Sequence, residues 1–424
     1  MTTESIEDSD SPTAWFKAMT PPERRTFWAC FSGWGLDAMD VQIYSFVIPT
    51  LLALWGLTNA QAGQLATVTL LCSAVGGWAA GLLADRIGRV RTLQLTILWF
   101  SVFTFVSGFA QSYDQLLIAR ALMGFGFGGE WAAGAVLIGE VIRPQHRGKA
   151  VGTVQSGWAI GWAVAVIIQT VLFQLFDPAV AWRYLFFIGI LPAVAVFLVR
   201  RYVEEPPVFE ETRRRIAAAG DRPGFLEIFS APVLKVTILT SLLCTGAQGG
   251  YYAVTTWLPS YLKTEKGLSV LNTGGYLAVV IVGSFTGYLV GAYLADRIGR
   301  RKLFFVFSLC AIAVVFAYTS LDIGNTAMLF LGFPLGFFGS GYFSGVGAFL
   351  TELFPTRVRG SGQGFAYNFG RGVGALFPML VGVLSASMPL GRAIAIFAIG
   401  AYALLFVAAL ALPETKGKIL HADG

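Results

Sequence analysis

The sequence predicts an all-α membrane protein that crosses the bilayer twelve times. Of its 424 residues, 55% are hydrophobic and 13% are charged, whereas roughly 25% charged residues are usual in soluble proteins. Twelve runs are apolar over the roughly 20 residues that a membrane-crossing helix needs. This composition excludes a soluble domain and a disordered chain, and the continuously apolar runs exclude the alternating strands of a membrane barrel.

The apolar runs, numbered here as spans 1 to 12, predict the helices in chain order. Their expected bounds are 27–54, 62–84, 91–110, 115–138, 150–176, 181–200, 233–260, 271–294, 303–321, 325–349, 361–384 and 391–411. Several runs exceed the minimum length, so we expect tilt or extension beyond the membrane. Ahead of span 1, the run Thr20-Pro21-Pro22-Glu23 predicts a helix start, with Thr20 as N-cap and Glu23 three residues on.

The distribution of lysine and arginine predicts that both termini are cytoplasmic. If the N-terminus is inside, 24 of the 30 basic residues lie on that side, four lie outside, and Arg120 and Arg371 lie within spans. The first 26 residues open with acids and have no apolar core, so we expect no secretory signal. The net charge of +6 reflects this loop bias, and we expect no nucleic-acid partner.

An internal repeat divides the chain into two halves of six spans in parallel orientation. The heptapeptide Leu83–Arg89 recurs as Leu294–Arg300, an offset of 211 residues, and Thr58 matches Ser269 at the same offset. The predicted parts are a cytoplasmic N-terminal segment, a first half, a cytoplasmic linker, a second half and a cytoplasmic tail: 1–26, 27–200, 201–231, 232–411 and 412–424.

On these motifs the chain resembles the major facilitator superfamily along nearly its whole length. They are the loop motif over 81–91 with its copy at 291–302, the glycine-rich run over 120–130, and the Pro-Glu-Thr ending at 413–415. Leu36-Asp37-Ala-Met-Asp40 with Glu130-Trp131 is most similar to the sialate and organic-acid:proton symporter branches, and the aromatic-acid:proton symporters are similar too. Span 5 lacks the Gly-Pro pair of the antiporter signature, which disfavours drug efflux.

The resemblance implies that the loop motif and its copy latch the two halves together on the cytoplasmic face. Asp85 ends span 2, Gly88 permits a tight turn, and an aspartate there can accept hydrogen bonds from a neighbouring helix N-terminus. The alternative is that the basic loops only maintain orientation. The residues expected in this cytoplasmic gate are Asp85, Arg86, Arg89, Glu140, Arg147, Asp296, Arg297, Glu352 and Arg359.

Five ionisable residues lie inside spans, where a charge costs about 2.5–3.5 kcal/mol even on insertion scales and marks a functional candidate. They are Asp37, Asp40, Arg120, Glu130 and Arg371. Helical spacing places Asp37 and Asp40 on one face of span 1 together with Tyr44, and turns Gln42 elsewhere.

Arg371 is expected ~15 Å deep in span 11, near the membrane midplane. Asn368 and Tyr367 precede it by three and four residues, so the three side chains can converge. The planar guanidinium suits a carboxylate, which predicts an anionic substrate. The alternative is a structural pair, with Arg371 neutralised permanently by an acid across the interface.

The membrane acids are candidates for proton coupling. Desolvation favours a neutral carboxyl group and a nearby guanidinium favours the charged one, so alternating access can change the protonation state. The resemblance favours Glu130 and Asp37 as carriers, with Asp40 beside them. Arg120 lies ~15 Å along the helix from Glu130, so we expect Arg120 to meet Asp37 or Asp40 instead. Each acid could alternatively serve helix packing.

Aromatic and amide side chains are expected to form the cavity wall, which suits a ligand with an apolar body and a polar edge. The residues expected in this wall are Tyr44, Gln155, Trp158, Gln248 and Tyr251. Most membrane aromatics only pack or lie at interfaces, which is the alternative for each.

Other motifs are set aside. The glycines at 124, 126, 128 and 129 superficially resemble a nucleotide loop, but they lie inside an apolar run, so we expect close helix packing. The four cysteines are scattered singly, and the two histidines lie in a loop and the tail, so we expect neither a metal nor another cofactor.

The sequence therefore predicts a monomeric transporter of the bacterial inner membrane, and not an enzyme. It would import a small organic carboxylate with protons by alternating access. The Trp and Tyr wall favours a cyclic or aromatic acid, followed by a monocarboxylate or sugar acid. The alternatives are a proton antiporter or anion exchanger, and a receptor that binds without transport. Receptors of this kind usually carry a long signalling extension, which the short tails argue against.

Overall fold

The computed structural model describes residues 14–142, 147–194, 225–355 and 358–416, and these ranges are helices joined by short turns. The α-helices are α1 (Ala14–Lys17), α2 (Pro21–Trp55), α3 (Asn59–Ile87), α4 (Arg89–Ser107), α5 (Tyr113–Val141), α6 (Arg147–Gln155), α7 (Gly157–Leu175), α8 (Pro178–Ile188), α9 (Ala231–Ser260), α10 (Val270–Ile298), α11 (Arg300–Ser320), α12 (Asn325–Gly341), α13 (Phe343–Leu353), α14 (Arg359–Gly374), α15 (Leu376–Leu384) and α16 (Leu390–Ala411). A 3₁₀ turn (Phe225–Phe229) precedes α9, and a π turn (Tyr261–Glu265) continues it.

The described residues of all twelve predicted spans are mainly helical, and the all-α prediction is confirmed. Within the described ranges, nine helices are long and apolar enough to cross a membrane. The other three spans lie on the shorter apolar helix Pro178–Val194, on α5, and on α14 with α15. The chain is therefore a multi-pass membrane protein.

Span 6 is interrupted by a turn at Gly189 and Ile190, and three further predicted spans are interrupted at single residues. The single-residue interruptions lie at Ser156, Tyr342 and Ala375, and each of these residues keeps right-handed helical dihedral angles. Ala375 lies three residues before Pro378, which has no N–H and whose ring crowds the carbonyl one turn back. Ser156 donates its hydroxyl to the Thr153 carbonyl (2.7 Å), a bond that competes with the regular helical ladder.

The helix starts follow the local sequence signals. Thr20 and Glu23 form a capping box, in which the Thr20 N–H donates to Glu23 Oε2 at 2.8 Å. Thr58 caps α3, and its repeat partner Ser269 caps α10 in the same way. Each cap satisfies a backbone N–H that the first helical turn leaves without a partner.

The loop motif and its copy share one backbone conformation. Gly88 joins α3 to α4 with φ 110°, and Gly299 joins α10 to α11 with φ 102°. Side chains are strongly disfavoured in this region, so the expected tight turn at Gly88 is confirmed and its copy repeats it.

The glycine-rich run of α5 lies against α3. A Cβ at Gly124 would be 2.1 Å from the Thr69 carbonyl oxygen, and one at Gly128 would be 1.6 Å from the Ser73 carbonyl oxygen. The two backbones therefore touch, which confirms close helix packing.

The first-half and second-half helices meet near both ends of the bundle. On the side of the α3 N-terminus, Thr67 donates to the Ala375 carbonyl (2.6 Å) and the Asn59 amide donates to Ser385 Oγ (2.9 Å). We call these two bonds the outer seam. At the other end, α6 approaches α10, where a Cβ on Gly152 would be 2.9 Å from Ala292 Cβ. Between these ends, α2 and α9 contact each other and are buried over much of their length.

Candidate functional site

A small cavity, called here the central cavity, lies between α2, α3, α5 and α9. Its polar lining consists of hydroxyl, amide and guanidinium groups, which come mainly from α2 and α9: Gln42, Tyr44, Ser45, Thr69, Arg120, Tyr251, Tyr252, Thr255 and Thr256. An anionic or hydrogen-bonding ligand would find suitable partners here.

Arg120 lines the central cavity and is 1% exposed. Its guanidinium carbon lies 5.0 Å from the ring centroid of Tyr44 and 5.9 Å from that of Phe186. Its charge interacts with that of Asp40, whose Oδ2 accepts a hydrogen bond from Thr104 at 3.1 Å. Among the described residues, neither Nε nor Nη1 of Arg120 has a hydrogen-bond acceptor.

Arg371 lies beside the central cavity and is also 1% exposed. Its guanidinium carbon is 5.1 Å from the ring centroid of Phe127 and 5.2 Å from that of Tyr367. Its charge interacts with Asp37 and with the phenol of Tyr252, which lines the cavity. In the described part of the chain, Nε and Nη1 of Arg371 have no acceptor either.

Tyr367 and Asn368 do not converge on Arg371 together. The ring of Tyr367 lies against the guanidinium, but the Asn368 amide donates to the Gly364 carbonyl (3.0 Å). Asn368 Oδ1 lies against α3, only 2.5 Å from where a Cβ on Gly77 would be. Because Gly77 has no side chain, α3 leaves room for the amide there, and Asn368 faces that helix.

Gln248 holds Tyr252 and Tyr367 in place. Its amide donates to the Tyr367 carbonyl at 2.8 Å, and its Oε1 accepts from the Tyr252 hydroxyl at 3.4 Å. Gln248 is therefore a positioning group between the cavity wall and the segment that carries Arg371.

The aromatic wall crosses from one half of the chain to the other. The Trp158 indole N–H donates to the Tyr251 hydroxyl at 2.5 Å, which ties α7 to α9. Trp158 also packs on Trp34, with ring centroids 4.9 Å apart. Gln155 is buried at the end of α6 but is not among the residues that line the central cavity.

Gln42 corrects an expectation. Helical spacing turned it away from the face of Tyr44, yet both residues line the central cavity. Gln42 and Tyr44 point about 160° apart around α2, and Val41 and Ser45 between them also line the cavity, so the cavity covers nearly half of the helix circumference. Ser45 and Thr256 are further lining residues that the sequence did not single out; a run of polar side chains inside an apolar span was the available signal.

At the end of the bundle that the sequence predicts to be cytoplasmic, Arg300 connects two of the acids expected in the gate. Its Nη1 lies 2.8 Å from Asp296, and its Nη2 lies 2.9 Å from Glu352. Glu352 also accepts from the Thr415 hydroxyl. Arg300 was not among the predicted gate residues, although it is the repeat partner of Arg89. These contacts all lie within the second half of the chain.

The Pro-Glu-Thr ending forms part of the same cluster. The Glu414 carboxylate accepts from the backbone N–H groups of Arg300 (3.0 Å) and Arg301 (3.1 Å), and so caps α11. Arg297 takes part through its backbone, since its carbonyl accepts from Lys416 Nζ at 2.7 Å.

Several predicted site residues have side chains outside the described part of the structure. They are Glu130 of the proton-coupling set and Asp85, Arg86, Arg89, Glu140, Arg147 and Arg359 of the gate set.

Comparison with known proteins places this architecture in a family. The chain matches the Major Facilitator Superfamily over residues 30–324 and 277–422. The "Probable 4-methylmuconolactone transporter" of Cupriavidus pinatubonensis is 46% identical over 414 residues, which cover 97% of this chain and 95% of that protein. The cis,cis-muconate transport protein of Acinetobacter baylyi is 31% identical over 364 residues, covering 84% and 86% of the two chains.

Solved structures agree at the level of the fold. A proton:xylose symporter bound to 6-bromo-6-deoxy-D-glucose superposes with a TM-score of 0.75 at 20% identity, covering 94% of this chain and 98% of that one. A further relative by sequence, the sialic acid transporter of Escherichia coli, is 28% identical over 396 residues, which cover 93% of this chain and 95% of that protein.

Proposed function

Because the chain belongs to the major facilitator superfamily, we propose that it is a secondary transporter that imports a small organic carboxylate together with protons. The relatives are named as transporters, and the function is transport and not catalysis. The finer proposal concerns the substrate, its coupling ion and the residues that handle each.

The observation that supports a carboxylate substrate is the pair of buried guanidinium groups, Arg120 and Arg371. Each carries donor atoms without an acceptor among the described residues. A buried charge with unused donors is costly, and a carboxylate matches the planar donor edge of arginine. Relatives named for muconate, methylmuconolactone and sialic acid support the same chemistry.

Within this site, we assign Arg371 to the substrate, with Tyr367 and Phe127 against its guanidinium faces and Gln248 positioning the wall. Tyr44, Trp158 and Tyr251 complete the aromatic surface. Asn368, which donates to the Gly364 carbonyl, and Gln155, which does not line the central cavity, are assigned a supporting role. Tyr252 lines the central cavity and interacts with Arg371, so we propose that substrate reaches Arg371 when the Tyr252 ring moves aside.

Proton coupling is assigned to the acids that face the arginines. Asp40 interacts with Arg120 and Asp37 interacts with Arg371, and Glu130 belongs to the same set by resemblance. When substrate takes over an arginine, the facing acid loses its cationic neighbour and gains a proton instead. Substrate and proton then cross together.

Alternating access requires two bodies that rock against each other. We assign these to residues 27–200 and 232–411, with the linker, both termini and the gate cluster on the cytoplasmic side of the bacterial inner membrane, in a monomer. The described gate contacts, Asp296–Arg300–Glu352 and Glu414, stiffen the second half from within, so contact between the halves falls to the remaining gate residues.

The test is a thermal-shift panel of benzoate, 4-hydroxybenzoate, muconolactone, cis,cis-muconate and xylose on purified protein, followed by uptake into proteoliposomes. We expect acids to stabilise the protein and an imposed inward proton gradient to drive their accumulation. Stabilisation by xylose alone would overturn the carboxylate assignment. Uptake that needs an internal acid and ignores the proton gradient would indicate an exchanger, and saturable binding without uptake would indicate a receptor.

A further inference from the structure

A second cavity adjoins the central cavity and is called here the side cavity. It lies between α7, α9, α10, α12 and α16, and its larger lining side chains include Trp162, Leu258 and Tyr402. Tyr251 and Thr255 line both cavities. The two spaces therefore share one wall, formed by Tyr251 and Thr255, and a ligand that reaches both must pass these side chains.

The two cavities differ in charge. The central cavity contains the guanidinium of Arg120, whereas the described residues that line the side cavity carry no charge. Its polar groups are hydroxyls, above all the pair Ser284 and Ser340, whose Oγ atoms lie 3.0 Å apart. A second carboxylate placed there would be buried without a cation.

The hydroxyl pair suits a neutral oxygen. Ser284 already has an acceptor in the Gly336 carbonyl at 3.4 Å. The hydrogen shared within the pair is then that of Ser340, and this hydroxyl can turn to a ligand oxygen by giving up its bond to Ser284. An ester, lactone or phenol oxygen could accept that hydrogen bond while the rest of the ligand contacts Trp162 and Tyr402.

We propose that the side cavity is a non-ionic subsite for the far end of the substrate. The transporter would then select monocarboxylates whose apolar body ends in a neutral oxygen, and would discriminate against dicarboxylates. This inference rests on the proposed function, because the carboxylate must be held on the arginine side for the body to extend past Tyr251 and Thr255.

A substitution at Gly339 can test this subsite by filling part of the side cavity. It lines the side cavity, and a Cβ there would meet only the Tyr402 hydroxyl, at an ordinary 3.5 Å. Gly339→Ala therefore adds a methyl group to the cavity without disturbing a backbone. Gly347→Ala in α13 is the matched control, since a Cβ there meets nothing within 4 Å.

The experiment measures binding to purified protein of three acids with one carbon skeleton: trans,trans-muconate, its monomethyl ester, and sorbate, in which a methyl group replaces the second carboxylate. Crotonate, a shorter monocarboxylate, serves as the acid that fills only the central cavity. We expect the ester to bind at least tenfold more tightly than muconate. Gly339→Ala should weaken the ester at least tenfold and leave crotonate unchanged, and Gly347→Ala should match the wild type throughout.

Ser340→Ala provides a second readout that tests the hydroxyl pair by itself. It should lower affinity for the ester and leave sorbate, which has no distal oxygen, unchanged. Equal affinity for muconate and its ester, or equal loss of crotonate and ester in Gly339→Ala, would overturn the subsite and leave carboxylate transport standing. If none of these three acids binds although another acid of the thermal-shift panel does, the subsite proposal is likewise overturned. If no acid of that panel binds, the proposal of carboxylate transport itself is overturned.

Discussion

Arg371 and Arg120 are equally buried, yet their surroundings differ. Arg371 lies against the rings of Phe127 and Tyr367, while Arg120 lies on the cavity wall above Tyr44. Sequence spacing identified both as charges inside the membrane, because a guanidinium in an apolar run is visible without a structure. It could not place Asn368, since the space that this amide occupies is left by a glycine on another helix.

At the residue scale, Arg371→Lys should weaken substrate binding by at least tenfold. Lysine keeps the charge but loses the planar pair of donors, and a charge-assisted hydrogen bond is worth about 1.5–3 kcal/mol, where ~1.4 kcal/mol is a factor of ten. Titration of purified protein with the substrate that the panel identifies measures this. Arg392→Lys, at an exposed position on α16, is the control. Unchanged affinity in Arg371→Lys would remove Arg371 from the carboxylate site.

The facing acids give a second prediction at this scale. Asp37→Asn and Asp40→Asn each remove a titrating group beside an arginine, so at least one should lose proton-driven accumulation while it keeps substrate counterflow across the bilayer. Both rates come from the same proteoliposomes. Asp322→Asn, in an exposed turn, should change neither rate. Full accumulation in both membrane variants would contradict the coupling assignment.

Among the elements, helix starts and tight turns were the most predictable features. Thr20, Thr58 and Gly88 act where local chemistry alone decides the backbone. The interruptions at Ser156 and Tyr342 were not predictable from spacing, because each residue stays helical and shifts only the hydrogen-bond pattern. Gln42 illustrates a similar limit for predicting the candidate site. Helical periodicity tells which residues share a face of a helix, but it does not tell which neighbouring helices surround that face.

The cap that Glu414 forms on the N-terminus of α11 yields a prediction at the element scale. Glu414→Ala removes the carboxylate that accepts from two backbone N–H groups of α11, and loss of such a cap costs about 1 kcal/mol. We expect a lower midpoint of thermal unfolding in detergent. Asp322→Ala, which removes an exposed acid of a turn, should leave the midpoint in place, and an equal fall in both variants would argue against capping.

For the whole molecule, the contacts between the halves matter most. The outer seam joins α3 to the α14–α15 pair, α6 meets α10 at the other end, and Trp158 with Tyr251 bridges the middle. The sequence predicted two repeated halves but not where they touch, since such contacts depend on the conformation that the bundle adopts. Transport requires at least one of these contact regions to separate.

A disulfide across the outer seam should therefore stop transport. Asn59 and Ser385 are hydrogen-bonded side chain to side chain, so the double variant Asn59→Cys/Ser385→Cys places two thiols in reach of each other. We expect oxidation to block uptake and reduction to restore it. Each single cysteine variant, oxidised in parallel, controls for the native cysteines, and undiminished uptake by the cross-linked protein would show that the seam stays closed during transport.

The burial of the membrane acids has a consequence for proton leakage across the membrane. Asp37 is 0% and Asp40 is 1% exposed in this conformation, so the described residues shield both carboxyl groups from bulk water. We therefore expect a transporter that rests in this conformation to show no proton leak while it holds no substrate. Under the proposed proton coupling, many copies can then reside in one membrane without dissipating the proton gradient.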